Sequence, residues 1–173
     1  IAPAMNVNMY ENIVTQQNIQ KCKDMGMIFV EPAVGLLACC DIGKGKLADN
    51  CDIIEMIQYA TCIKTLTNKK VVISAGPTQE SIDPVRYITN HSSGKMGYAI
   101  AKAARNMGAD VTLVSGPTNI KKPYGVKVVD VKSADDMYHA MINESEDASI
   151  IIMSAAVADY SPVSVADEKI KKN

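Results

Sequence analysis

The chain has 173 residues, 47% of them apolar and 5% aromatic, enough to bury one sizeable core or two partial ones but poor in the stacking surfaces that nucleic acid requires. Its 18 Lys and Arg nearly cancel its 19 Asp and Glu, so no long-range field recruits DNA, RNA or an anionic membrane, and small-molecule chemistry is favoured. No apolar run approaches the roughly 18 residues of a membrane span and no signal-peptide pattern opens the chain, which predicts a cytoplasmic protein.

Ile1-Ala-Pro-Ala-Met-Asn6 reads as the end of a buried strand running into a loop, so the chain is expected to begin inside a domain. Tyr10 to Met25 is helix-like but interrupted by polar Thr15 to Asn18, as one helix or two short ones. Met27 to Val30 reads as a short strand and Gly35 to Gly45 as a loop. Asp49 to Thr61 reads as a helix with Ile53, Ile54, Ile57 and Ala60 on one face. Five cysteines, Cys22, Cys39, Cys40, Cys51 and Cys62, make an odd set without CxxC spacing, and the histidines are His91 and His139. Neither a disulfide framework nor a zinc site is expected.

Composition shifts at Lys64 to Lys70, where a domain boundary is placed. Beyond it the pattern is strand Val71 to Ala75, a long loop, and a helix from about Gly94 to Met107 with Met96, Ala99, Ile100, Ala103 and Met107 on one face, ended by Gly108. Then come strand Val111 to Ser115, a Gly116-Pro117 turn, strand Val126 to Val131, a helix from Ser133 to about Ser145, and the apolar strand Ser149 to Ala156. Strands alternating with helices imply an α/β fold with a parallel sheet covered on both faces. Ligands collect beyond the carboxyl ends of such strands, where the loops Gly76 to Gly97, Gly116 to Tyr124 and Ala155 to Lys172 converge.

The loop from Gly76 is neither a GxGxxG fingerprint nor a Walker A sequence, since Lys95 is not followed by Ser or Thr. Its length and its content of Asp83, Arg86, Asn90, His91, Ser92, Ser93 and Lys95 before a helix suit phosphate or carboxylate. Equally, Ser92 or Ser93 could only cap the helix while the charges are solvated. Ser154 to Asp159 ends the last strand with small residues, open to a flat ligand or to tight strand packing. Glu168-Lys169-Ile170-Lys171-Lys172 is a solvated run or a cationic site. Cys39 is a small buried hydrophobe or a redox or acid residue.

Together these segments resemble the bifunctional coenzyme A biosynthesis enzymes that fuse phosphopantothenoylcysteine decarboxylase to phosphopantothenate-cysteine ligase. Pro3-Ala-Met-Asn6 and Ala38-Cys39-x-Asp41-Ile-Gly43 are similar to the substrate-binding end of the FMN-dependent decarboxylase, with Cys40 where glycine is usual. Ala75-Gly-Pro-Thr78, Asp83-Pro-Val-Arg86-Tyr-Ile-Thr-Asn90-His-Ser-Ser-Gly-Lys-Met-Gly97, Ala155-Ala-Val-Ala-Asp159-Tyr160 and Glu168-Lys169-Ile-Lys-Lys172 are similar to the front half of the ligase.

The resemblance implies that residues 1–66 are the C-terminal part of a flavodoxin-like flavoprotein domain and residues 67–173 the N-terminal part of a Rossmann-like ligase domain. It implies that Asn6 holds the decarboxylase substrate's carboxylate and that Cys39 donates a proton. For the ligase it implies that Lys169 is the cation at the reacting phosphate and that Asn90 and Arg86 contact the acyl-cytidylate or the pantothenate portion. Met153, Ser154, Ala155 and Asp159, with Gly76, would bind cytidine. FMN, CTP and Mg2+ are the implied cofactors and co-substrate. The implied small molecules are 4'-phosphopantothenate, cysteine and phosphopantothenoylcysteine, with a homo-oligomer in the full-length protein. Two other readings remain open from the residues alone: a non-catalytic nucleotide-binding module, and an NAD(P)-dependent oxidoreductase, against which the loop length and the missing GxGxxG argue.

Overall fold

A computed structural model describes residues 1–36 and 42–171, and the chain divides into two compact units, Ile1–Cys62 and Ile63–Asn173. Among the described residues no helix is long and apolar enough to cross a membrane.

In the first unit, α1 (Val7–Glu11) and α2 (Ile13–Asp24) both start on an asparagine. Asn6 Oδ1 accepts from the Asn8 N–H at 2.8 Å and Asn12 Oδ1 from the Val14 N–H at 2.9 Å, the short polar acceptor that a helix start favours. The break expected at Thr15 to Asn18 therefore falls at the Asn12 cap, and the polar stretch simply continues α2. The expected loop from Gly35 to Gly45 overlaps β1 (Ala33–Leu36) and β2 (Ile42–Lys46), an antiparallel pair with Leu36 opposite Ile42. Its glycines serve close packing: a Cβ on Gly43 would lie 2.6 Å from a Val7 methyl, and one on Gly45 2.3 Å from the Met5 carbonyl oxygen.

Met27 to Val30, expected as a strand, forms none. Val30 N–H donates to Ile1 O at 2.9 Å and the Ile1 amino group to Ile28 O at 2.6 Å, too few rungs for a ladder. Val30, Ala48 and Met56 form the core of this unit, packed by Ala2, Ile53 and Tyr59. The helix α3 (Asn50–Thr61) buries Met56, whereas the expected face residues Ile54 and Ile57 stay 55% and 56% exposed. An unbranched thioether fills an irregular gap more readily than a branched chain. Glu31 joins the pieces: its carboxylate accepts from Lys23 of α2 at 3.1 Å, Lys44 of β2 at 2.8 Å and the Tyr10 hydroxyl of α1 at 3.2 Å.

The second unit runs β3 (Lys70–Ala75), β4 (Gln79–Ser81), β5 (Tyr87–Thr89), α4 (Lys95–Asn106), β6 (Asp110–Ser115), β7 (Lys127–Asp130), α5 (Ala134–Ser145) and β8 (Ile150–Met153). Four strands form one parallel sheet in the order β7-β6-β3-β8, while β4 and β5 pair antiparallel by themselves. The strand period of two sends alternate side chains to opposite faces. Val71, Ile73, Ala75, Val111 and Leu113 thus meet Tyr98, Ala101 and Ala104 of α4, and Val72 and Val114 meet Met137 and Met141 of α5. Ile73 and Leu113 are fully buried, each worth about 1.5–3 kcal/mol relative to exposure.

The buried face of α4 is Gly97, Tyr98, Ala101, Ala104 and Arg105, and Met96, expected inside, is 64% exposed. Small residues let the helix axis approach the sheet, and that contact outweighs the greater apolar bulk one step around. A Cβ on Gly97 would lie 2.5 Å from the Ala75 Cβ. Arg105 is buried with its guanidinium donating to Tyr124 O at 2.5 Å. The start of α5 carries a full capping box, Ser133 Oγ accepting from Asp136 N–H at 3.0 Å and the Asp136 carboxylate accepting from Ser133 N–H at 2.9 Å.

The hydrogen bonds from Lys44 and then Lys23 hold the Glu31 carboxyl down from its ordinary 4.5 to about 2. A carboxyl whose pKa is depressed on folding stabilises the fold above its unfolded value, and that contribution is lost as pH falls from about 4.5 towards 2. An NMR titration of the Glu31 side-chain carbon is expected to show its midpoint near 2, and Lys44→Ala to raise it; a midpoint at the ordinary value in the unaltered chain refutes the pairing.

Candidate active site at the carboxyl edge of the sheet

Successive strands step outward from β3 to β6 and β7, and β8 then joins on the other side of β3. The strand order reverses between β3 and β8, the place where the carboxyl ends of an open parallel sheet leave a crevice. Three sets of contacts build its floor. The buried Ser74 Oγ accepts from the N–H groups of Ser154 at 3.1 Å and Ala155 at 3.2 Å, and Ser154 Oγ donates back to Ser74 O at 2.6 Å. The chain beyond β8 then runs parallel to Gly76–Thr78, with Ala156 N–H on Gly76 O at 2.8 Å and Ala158 N–H on the buried Thr78 Oγ1 at 2.9 Å. Asn90 completes the set, its Nδ2 donating to Val157 O at 2.9 Å.

Gly76 turns out of β3 with φ +76°, where a Cβ would meet Thr118 Cγ2 at 2.8 Å. Gly116 passes so close to Pro77 that a Cβ would lie 1.8 Å from the Pro77 oxygen. Tyr98 OH stands 3.1 Å from Ser115 Oγ and accepts from Thr118 Oγ1 at 3.1 Å, locking the loop beyond β6 to α4. The N-cap of α4 is Gly94 in the left-handed region, with no side-chain cap. The reading of Ser92 or Ser93 as the helix cap is therefore corrected: Ser92 Oγ accepts only a 3.4 Å contact from Gly94 N–H, and the first amide groups of α4 have no side-chain acceptor at the cap.

The long loop is ordered by its own hairpin, β4 opposite β5 with Glu80 paired to Ile88. Glu80 Oε1 accepts from the first N–H of α5, Ala134, at 2.9 Å. The hairpin's turn is an Asx turn: Asp83 Oδ1 accepts from Val85 N–H at 2.9 Å and Arg86 N–H at 2.8 Å, with Pro84 supplying a fixed φ between them. Asp83 Oδ2 accepts from Arg86 Nε at 2.9 Å, Arg86 Nη2 at 2.6 Å and Ile170 N–H at 3.1 Å. The Arg86 guanidinium, with the three backbone N–H groups, holds the Asp83 carboxyl well below the usual carboxylate range.

The structure brings Gly76, Asn90, Ser154 and Ala155 together around the strand reversal. Arg86 sits in the hairpin turn on Asp83 and also donates to Ile170 O at 3.2 Å, which draws the segment bearing Lys169 to the turn. Lys169 and Asp159 are exposed. Met153 is 66% exposed and lines an apolar groove of about 430 Å³ with Met137, Tyr138, Met141, Ile142 and Ile151. In the first unit Asn6 caps α1 beside the glycines of β2, and Cys39 lies outside the described residues. Ser74, Thr78 and Tyr98 were not singled out from the sequence, although a lone hydroxyl inside the buried run Val71-Val-Ile-Ser74-Ala is a signal that it has a specific partner.

Residues 66–173 match the family model described as the DNA/pantothenate metabolism flavoprotein C-terminal domain, and residues 1–61 match the one described as flavoprotein. A coenzyme A biosynthesis bifunctional protein CoaBC of Vibrio cholerae is 50% identical over 173 residues, all of this chain and 43% of that protein. The protein so described from Bacillus subtilis is 46% identical over 99% of this chain and 43% of its own length. Among solved structures, the C-terminal domain of a CoaBC protein is 49% identical with a TM-score of 0.57, covering 62% of this chain and 57% of that one. The DNA/pantothenate metabolism flavoprotein from Streptococcus pneumoniae is 32% identical with a TM-score of 0.52, covering 55% and 42%. The chain spans less than half the length of the curated relatives it matches.

Ser74→Ala removes the buried acceptor of the Ala155 N–H and leaves the Ser154 N–H only its 3.3 Å bond to Ser74 O, a cost of about 1–3 kcal/mol. Amide exchange is expected to accelerate at Ser154 and Ala155 more than at Val72 on the same strand, with a lower urea midpoint for the chain. Uniform acceleration along β3 and β8 is the outcome that contradicts a local pin.

Proposed function

We propose, on the premise that this chain belongs to the family of bifunctional coenzyme A biosynthesis proteins, that its second unit is the Rossmann-like, nucleotide-binding front half of a phosphopantothenate-cysteine ligase. The observation that carries the reading is the convergence, at the strand reversal, of the α4 amino end capped only by Gly94, the backbone splice of Gly76–Thr78 with Ala156–Ala158, and Asn90 bridging to Val157. Oriented N–H groups without a side-chain acceptor at a helix start suit phosphate. A floor of Gly, Ala and Ser lets a flat base approach the backbone.

In this reading the carboxylate of 4'-phosphopantothenate attacks the α-phosphate of CTP and expels pyrophosphate, because a free carboxylate is a poor acyl donor. The amine of cysteine then attacks the acyl carbon and releases CMP. Negative charge builds on phosphate in the first step, where a fixed cation lowers the barrier by electrostatics. Lys169 supplies that cation, Asn90 contacts the acyl-cytidylate, and Met153, Ser154, Ala155 and Asp159 with Gly76 form the cytidine side. Mg2+ enters with the triphosphate as part of the substrate. Arg86 reaches substrate only through the part of its guanidinium that Asp83 and Ile170 leave unused.

The first unit is read as part of the FMN-dependent phosphopantothenoylcysteine decarboxylase. Bound FMN would supply the two-electron oxidation of the substrate thiol that makes loss of carbon dioxide possible. Asn6, seated beside Gly43 and Gly45, would hold the substrate carboxylate, and Cys39 would return a proton to the product. The full-length protein would act as a homo-oligomer.

Calorimetry on the full-length protein is expected to show CTP with Mg2+ binding, and binding weakened about tenfold or more in the Asn90→Ala, Lys169→Ala double variant. Equal affinity in the two proteins refutes the site. Tight CTP binding without any joining of cysteine to 4'-phosphopantothenate instead favours a non-catalytic nucleotide module, and a fluorescence response to NADH favours an oxidoreductase.

A further inference from the structure

We infer that Asp83, through its pairing with Arg86, is the residue that positions Lys169, by gripping both backbone polar groups of Ile170. The consequence for catalysis rests on the ligase reading above. The Asx turn of the hairpin needs only Oδ1 of Asp83, which takes the Val85 and Arg86 N–H groups. Oδ2 is turned instead on the Ile170 N–H at 3.1 Å, 87 residues along the chain, while Arg86 Nη2 donates to Ile170 O at 3.2 Å. A third bond, Ala166 N–H to Ile82 O at 3.0 Å, fastens the same segment four residues earlier.

Little apolar burial holds this stretch. Val163 and Val165 are 107% and 57% exposed and Ile170 is 49% exposed, whereas the Asp83 side chain is wholly buried. Polar bonds to the turn therefore fix where residues 166–170 lie, and Lys169 is carried by the residue next to the grip. Charge explains why an arginine must share it. A bare carboxylate beside Lys169 would draw the ammonium to itself and away from an anionic ligand. With Oδ2 occupied by the guanidinium at 2.6 and 2.9 Å, Asp83 anchors the backbone while its charge is neutralised. Asp83 is a positioning residue: it acts through Lys169 and need not touch substrate.

The test uses the full-length protein with Asp83→Asn, Lys169→Ala and the double variant. Without nucleotide, hydrogen exchange over residues 166–171 is expected to accelerate about tenfold or more in Asp83→Asn; unchanged exchange overturns the grip. In steady-state pyrophosphate release from CTP, 4'-phosphopantothenate and cysteine, Asp83→Asn is expected to lower kcat about tenfold with KM for CTP within about twofold, and to cause no further loss once Lys169 is alanine. Multiplying losses in the double variant overturn the inference, because an effect on general folding would not depend on Lys169. Should Asp83→Asn fail to fold, Ile170→Pro removes the N–H that Asp83 accepts and leaves both charged side chains in place; the same split between kcat and KM is expected, and unaltered kinetics count against it. Absence of pyrophosphate release from the unaltered protein with any nucleotide defeats the ligase reading, while the exchange comparison still decides the grip.

Discussion

Ser74 Oγ, accepting two successive N–H groups from the exit of β8, sets the course of the chain through which the second unit assembles its site. Once Ser154 and Ala155 are held there, the next residues have no choice but to run beside Gly76–Thr78, and Ala156 and Ala158 bond to that segment in turn. Thr78 faces the other way as well, its carbonyl accepting from Thr89 Oγ1 at 2.7 Å, so the end of β5 is tied to the same splice and Asn90 is delivered to Val157. Ladder pairing of β3 with β8 ends at Met153; side-chain and loop bonds extend it by five residues into the crevice. The strand reversal at β3 thus becomes a built surface and not merely a gap between loops.

Glycines bring the segments of that surface close together. Gly76, Gly97 and Gly116 each stand where a Cβ would fall within 2.8 Å of another atom, Thr118 Cγ2, Ala75 Cβ and the Pro77 oxygen in turn, so the packing leaves no room for a side chain at these three positions. A surface of this kind presents peptide dipoles fixed by hydrogen bonds that are already made, which need little reorganisation when charge develops above them. The same closeness explains the face of α4. Gly97, Ala101 and Ala104 turn inward because they permit the approach, and the larger Met96 is left outside.

The parallel sheet was legible because Val71 to Ala75, Val111 to Ser115 and the run before Ser154 are β-branched and separated by helical periods, and Ser133 followed by Asp136 marks a helix start with its own chemistry. Two hairpins were not legible. β4 and β5 are three residues each, too short for an alternation to register, and what joins them is the Asx turn at Asp83-Pro84. β1 and β2 are hidden by glycines that read as loop until their contacts with Met5 and Val7 are known. At the candidate site, glycine and small-residue placement marked Gly76 and Ser154 to Ala155, segments that meet at the strand reversal. The contact of Asp83 with Ile170 could not be read, because the two meet across 87 residues and no local period encodes a contact of that range.

Ion pairs stand at both ends of the second unit's sheet, Lys122 with Asp130 at 2.5 Å among those at the carboxyl edge. At the amino edge lysines are spent on carboxylates: Lys70 pairs with Asp147 and Lys127 with Glu144 at 2.7 Å, exposed pairs that add little stability individually but neutralise that rim. Near the carboxyl edge the buried carboxylate of the hairpin is given to Arg86, which is planar and can serve Asp83 and the Ile170 carbonyl together. A lysine in the place of Arg86 could neutralise the charge but could not make both contacts from one fixed plane. With the guanidinium serving the structural pair, the Asp83 charge is neutralised beside the segment that carries the exposed Lys169.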